Sequence, residues 1–152
     1  MAKFLYRMQN ILDIKYKLEE AAKQEYREAR GKLDEAEEDL KKQLARRNEY
    51  LQEYQNAITG KLDLLQIDEC SNSIEVIDEI ILEKRENVKN CSRELEKARV
   101  KLSEVMQERK MHEKLKEKKF DEFINDLNSQ VNKETDEIVS YQFNTSENEM
   151  EE

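Results

Sequence analysis

Across its 152 residues the chain holds two glycines and no proline. Average usage is about 7 % glycine and about 5 % proline. Tight reversals depend on these residues, so a fold with many of them is excluded. That removes all-β architectures and βα-alternating ones with their many loops. It also removes glycine-rich phosphate loops and nucleophile elbows, which need glycines at fixed spacing. Long helix remains. Hydrophobic residues make up 37 % of the chain and charged residues 41 %. The apolar share lies below the roughly 45–50 % of globular domains. Such a chain can build a thin seam between two or three helices, but not a thick core.

The formal net charge of −9 is unevenly placed. Residues 121–152 hold ten acids and one base, Lys133, while residues 1–120 are balanced. A nucleic-acid binder would need a basic face. The local exception is Lys101 to Phe120, where seven bases outnumber four acids. No run approaches the roughly 18 apolar residues of a membrane span. The N-terminus lacks the apolar core and small-residue cleavage site of a secretory signal. Cys70 and Cys91 share no motif and fit a reducing cytosol.

Apolar or small residues recur at 4, 8, 11, then 18, 22, 26, 29, 33, 36, 40, 44, then 51, 54, 58. The pattern predicts a first helix over about 3–58, with stutter-like 4-4 steps at 18–22–26 and 36–40–44. At a rise of ~1.5 Å per residue that is a rod of ~84 Å. Thr59-Gly60 ends it, since glycine suits the left-handed residue after a helix. Residues 59–73 are expected as a turn segment, in which Lys61 to Cys70, with Leu62, Leu64, Leu65 and Ile67, is apolar enough to fold back over the tip as one or two helical turns. Ser71-Asn72-Ser73 reads as an N-cap cluster, with Glu75 completing a capping box. A second helix follows over about 74–141, with its seam at 74, 77, 81, 88, 91, 95, 98, 102 and 105, continuing through Arg109 and His112. Phe120, Phe123, Leu127 and Val131 resume it, shifted by one residue. Heptads sustained this far argue coiled coil.

The fold class is therefore all-α, a long antiparallel two-helix coiled-coil hairpin forming a single domain over 1–143. The acidic tail, 144–152, is expected to be disordered. A turn centred near residue 66 sets Leu12 against Phe120, Leu33 against Arg99 and Tyr54 against Asp78. The acidic C-terminal part then overhangs the open end.

No constellation for catalysis, metal or cofactor emerges. His112, the only histidine, lies on the seam within reach of Glu19 or Glu20 and lacks further ligands. A coiled coil offers acids no desolvated pocket. Gly31 lies inside the first helix at a cost of ~1 kcal/mol relative to alanine. It marks either a close approach, by a partner or by the second helix, or a tolerated defect. The basic stretch 101–120 is either a solvated face or a docking surface for an acidic partner. Tyr50, Leu51 and Tyr54, with Ile74 and Ile77 across the turn, form an apolar cluster that is a candidate binding patch.

The run Phe4-x-Tyr6-Arg7-Met8-Gln9-x-Ile11-Leu12-Asp13-Ile14-Lys15, with Leu18-Glu19 and Ala29-x-Gly31 beyond it, resembles the flagellar export protein FliJ, particularly its Firmicutes forms. Asn48-Glu49-Tyr50 before the break is similar to the tip region of that family. The resemblance implies a coiled-coil hairpin like the rotor stalk of rotary ATPases, acting without catalysis in type III protein export. It implies that the open end, with Tyr6, Arg7, Gln9, Asp13 and Lys15 as candidates, docks in the ring of the export ATPase FliI and promotes its assembly. The tip would address the export gate FlhA, with Tyr50 as the carried-over contact. It further implies a cytoplasmic protein, peripheral at the inner face of the cell membrane through the gate, and the hairpin itself predicts an elongated monomer when free. Family members are also described as general chaperones or chaperone escorts for export substrates. A plain dimerising coiled coil is the remaining alternative.

Overall fold

The protein is described by a computed structural model covering residues 2–150. Two helices, α1 (Gln9–Thr59) and α2 (Leu64–Met150), account for nearly all of it. No strand occurs among the described residues. The chain divides into two compact units: one is Lys17–Met106, and the other joins residues up to Tyr16 with those from Gln107 onward.

In the unit Lys17–Met106 the helices form an antiparallel hairpin. On α1 a buried or half-buried residue stands at each of 19, 22, 26, 29, 33, 36, 40, 43, 47, 50, 54 and 57, with 23, 39 and 51 half-buried beside this line. On α2 the corresponding line is 67, 70, 74, 77, 81, 84, 88, 91, 95, 98, 102 and 105, with 73, 78, 80 and 106 half-buried beside it. Both series step alternately by three and four, an unbroken heptad. The expected stutters are therefore absent. Leu18 and Leu44, which would create them, are exposed, and the polar Glu19 and Gln43 take the seam places beside them. Ala22, Ala36, Ala57, Cys70, Ile77 and Ile81 are buried, so the core is thin and built largely from small side chains.

Ion pairs between the helices mark the register. Arg47 Nε lies 2.6 Å from Asp78 Oδ1, Lys101 Nζ 2.9 Å from Glu25 Oε2, and Lys84 Nζ 3.9 Å from Asp39 Oδ2. Such exposed pairs stabilise little individually, about 0–1 kcal/mol. Their value here is positional: Asp78 faces Arg47, not Tyr54, so the register differs from the expected one by about two helical turns. The reason is the reversal, which is only residues 60–63 long. Asp63 Oδ1 accepts the Leu65 N–H at 3.1 Å, an N-cap that starts α2 ten residues earlier than the Ser71-Asn72-Ser73 cluster would. That cluster lies within α2, and the segment 61–70 does not cover the tip. The Thr59 hydroxyl donates to the Gln55 carbonyl at 2.9 Å and closes α1. Gly60 has no positive φ, so the left-handed conformation expected there is not used.

Gly31 lies in open space, and a Cβ built on it meets nothing within 4 Å. Helix α2 therefore does not require the glycine. Gly31→Ala is expected to stabilise the protein by about 1 kcal/mol, the difference in helix propensity. A thermal melt should show a Tm higher by about 2–4 °C; an unchanged or lower Tm would mean the residue answers some constraint within the fold.

In the other unit, residues 2–8 precede α1 and lie against α2. The Phe4 ring meets Phe120 edge-on, with centroids 5.2 Å apart, and is tilted against Phe123 at 5.5 Å. Leu12 is buried. Facing Phe120 with Phe4 rather than Leu12 repeats the register difference. Helix α2 runs on through residues 144–150, where composition predicts disorder, and every residue from 128 to 150 is exposed. The last two residues of the expected tail lie outside the described residues.

Candidate partner-docking surfaces

At the tip of the hairpin, the most exposed apolar residues are not those the sequence singles out as a binding patch. Ile77 is 2 % exposed and serves the core, so the closed hairpin does not offer it to a partner. Tyr50, Leu51, Tyr54 and Ile74 are half-buried on or beside the seam. By contrast Leu62, Leu64 and Leu65 are 68 %, 77 % and 69 % exposed, with Ile58 beside them on α1 also exposed. Three leucines in four residues at a short reversal form a compact apolar knob. Their exposure follows from the early start of α2, which leaves Leu62 in the reversal and puts Leu64 and Leu65 in the first helical turn.

In the other unit the candidates Gln9 and Asp13 pair with each other one turn apart, Gln9 Nε2 donating to Asp13 Oδ1 at 2.9 Å. Lys15 Nζ donates to Glu108 Oε2 at 2.8 Å across the helices. That bond, reinforced by the lysine's charge, holds the Glu108 carboxyl below its ordinary range. Tyr16 donates its hydroxyl to Glu113, whose other oxygen accepts from Arg109 at 2.9 Å. The Arg109 guanidinium lies 6.0 Å from the Tyr16 ring centroid. Arg7 is exposed, while the Tyr6 hydroxyl is buried without a hydrogen-bond partner. His112 is half-buried and its Nδ1 also lacks a hydrogen-bond partner.

No group of three His, Cys, Asp or Glu side chains able to hold a metal occurs among the described residues. Cys70 and Cys91 are free, and both lie in α2. Helical rise separates them by about 32 Å, well beyond the about 7 Å limit for a disulfide. These surfaces offer exposed apolar side chains and charged groups.

Beyond the aromatic contacts, α2 presents Val131, Ile138, Val139, Tyr141 and Phe143 to solvent among Glu134, Asp136 and Glu137. A long helix with apolar side chains and no companion is a docking element in form. A family model described as flagellar FliJ protein matches residues 4–148. The chain belongs to the FliJ family. It is thereby a component of flagellar type III protein export. No curated protein matches it. Among solved structures, a YscO homolog from Chlamydia trachomatis, CT670, is similar in fold. It shows 23 % identity and a TM-score of 0.71 over 95 % of this chain and 98 % of that one. The FliJ membership agrees with the resemblance carried by the first twenty residues, and the shared fold with the hairpin architecture.

Proposed function

We propose that this FliJ-family chain is a non-catalytic stalk of the export apparatus. It docks in the ring of the export ATPase FliI, promotes the ring's assembly and links it to the gate protein FlhA. The observation that carries this reading is an exposed apolar surface in each unit, Leu62, Leu64 and Leu65 in one and Ile138 and Tyr141 in the other. The C-terminal part of α2, with Ile138 and Tyr141, together with Tyr6, Arg7, Gln9, Asp13 and Lys15, forms the ring-facing surface. The knob of Leu62, Leu64 and Leu65, flanked by Tyr50, Leu51, Tyr54 and Ile74, meets the gate. No helix among the described residues is long and apolar enough to cross a membrane, so contact with the membrane runs through the gate.

The test is enzymatic although the chain is not an enzyme. Purified chain at micromolar concentration should raise the ATP hydrolysis rate of its cognate FliI several-fold and increase the population of assembled rings. Ile138→Glu with Tyr141→Glu should remove the stimulation while leaving helicity unchanged, because both side chains are exposed. Absence of stimulation by the wild-type chain would overturn the stalk reading.

A further inference from the structure

Beside the Phe4–Phe120–Phe123 cluster lies an open cavity of about 540 Å³, within the size range of ligand sites. Phe4, Leu115 and Phe123 supply its apolar lining, and Lys3, Arg7 and Lys119 its charge. No acidic side chain lines it. Lys119 Nζ shares its charge with Glu122 Oε2 at 3.4 Å, whereas Lys3 and Arg7 are exposed and make no ion pair among the described residues. The Tyr6 hydroxyl, also at this cavity, is buried with no hydrogen-bond partner. By contrast, the cavity beside Ala29 and Cys91 in the other unit is lined by three glutamates and three lysines, and so selects nothing by charge.

We propose that the cavity at Phe4, Tyr6 and Phe123 binds an acidic peptide segment of a partner protein, one aromatic side chain seated between carboxylates. The ring packs on Phe4, Leu115 and Phe123. One carboxylate accepts from the Tyr6 hydroxyl, and the others meet Lys3 and Arg7. A buried hydroxyl with no partner is unfavourable in the free chain and becomes favourable once a carboxylate accepts from it. The chain's own acidic stretch around Tyr141 cannot serve, because α2 is one continuous helix that carries Tyr141 ~27 Å beyond Phe123 by helical rise. An anionic lipid surface fits less well, since headgroups would neutralise Lys3 and Arg7 without filling the recess. The site shares Tyr6 and Arg7 with the ring-facing surface. It therefore rests on the stalk reading for which partner supplies the segment, but not for the chemistry of that segment.

The four phenylalanines of the chain make binding measurable in the full protein. Labelling with 4-fluorophenylalanine gives fluorine NMR signals from Phe4, Phe120 and Phe123 at the site. Phe143, exposed and ~30 Å further along α2 than Phe123, is the internal reference. The probe is a pentapeptide with blocked ends and phenylalanine between two pairs of aspartates. Expected is a saturable shift of the site signals with a dissociation constant below about 1 mM, and no shift of Phe143. Replacing the aspartates by asparagine, or the phenylalanine by alanine, should abolish the shift. Lys3→Glu with Arg7→Glu should raise the dissociation constant at least about tenfold with unchanged helicity, since both residues are exposed. Tyr6→Phe should weaken binding several-fold without lowering the melting temperature, because its hydroxyl makes no bond in the free chain. Three outcomes overturn the proposal. One is no shift at about 5 mM peptide. Another is equal binding of the aspartate and asparagine peptides. The third is site signals that ignore the peptide but respond to phosphatidylglycerol vesicles or to the concentration of the chain itself, which would assign the cavity to a lipid surface or a second copy. No ATPase is present in this experiment, so its failure is distinct from a failure to stimulate FliI.

Discussion

Ile77→Asp is expected to melt the hairpin around its tip. Ile77 is the most buried isoleucine of α2 and faces α1 within the seam. Truncation to alanine alone would cost about 2–5 kcal/mol through lost burial and the cavity left behind. Aspartate adds the penalty of a carboxylate with no partner in an apolar site. A destabilisation above about 4 kcal/mol is expected, and a Tm lower by about 10 °C or more. Val76→Asp is the control. Its side chain is exposed one position away, and its melt should stay within about 0.5 kcal/mol of the parent. Circular dichroism at a series of temperatures compares the three proteins. Equal melts for Ile77→Asp and Val76→Asp would contradict the seam assigned to α2.

The second large effect concerns the knob at the reversal. Replacing Leu62, Leu64 and Leu65 together by serine should leave the helical signal unchanged, because all three side chains already face solvent. Affinity for the gate protein should fall on the order of 100-fold if even two of them become buried on binding, at about 1.5–3 kcal/mol for a fully buried leucine. Tyr50→Ala should weaken binding less, because the Tyr50 side chain is half-buried on the seam. Calorimetric titration of each variant into the cytoplasmic part of the gate gives the comparison. Wild-type affinity for the triple variant would remove the knob from the contact.

The architecture was legible where large aliphatic residues occupy the seam. From Ile74 to Val105 every seam position read from α2 is buried or half-buried, and the half-buried positions it skips are Asp78, Ile80 and Lys84. Helix α1 is harder to read because polar residues hold seam places. Lys15, Glu19, Gln43 and Arg47 face inward with exposed Leu18 and Leu44 beside some of them, and a rule that follows the larger apolar side chain drifts off the face. Long side chains at such places lay their carbon stems along the seam and keep their charges near water. The reversal is misplaced for a related reason. A single aspartate, Asp63, caps α2, whereas three consecutive polar residues at 71–73 imitate a cap. Small polar residues fit an exposed helical face equally well, so local chemistry could not choose between them. The exposure of Leu62, Leu64 and Leu65 depends on that choice, and so does every facing pair. The N-terminal candidates were identifiable as a group, but the Gln9–Asp13 and Lys15–Glu108 pairings depend on rotamer and register.

A reversal this short also limits how the hairpin unit can change in length over evolution. The pairs Arg47–Asp78, Asp39–Lys84 and Glu25–Lys101 stand at successive distances from residues 60–63. Excising one heptad from α1 between Glu25 and Asp39 would leave the first two pairs in place and part the third. A matching excision from α2 between Lys84 and Lys101 would bring Lys101 back to Glu25. Insertions and deletions in this unit are therefore tolerated as matched sevens, one in each arm, and an unmatched one forces the loop to absorb the difference or the seam to break.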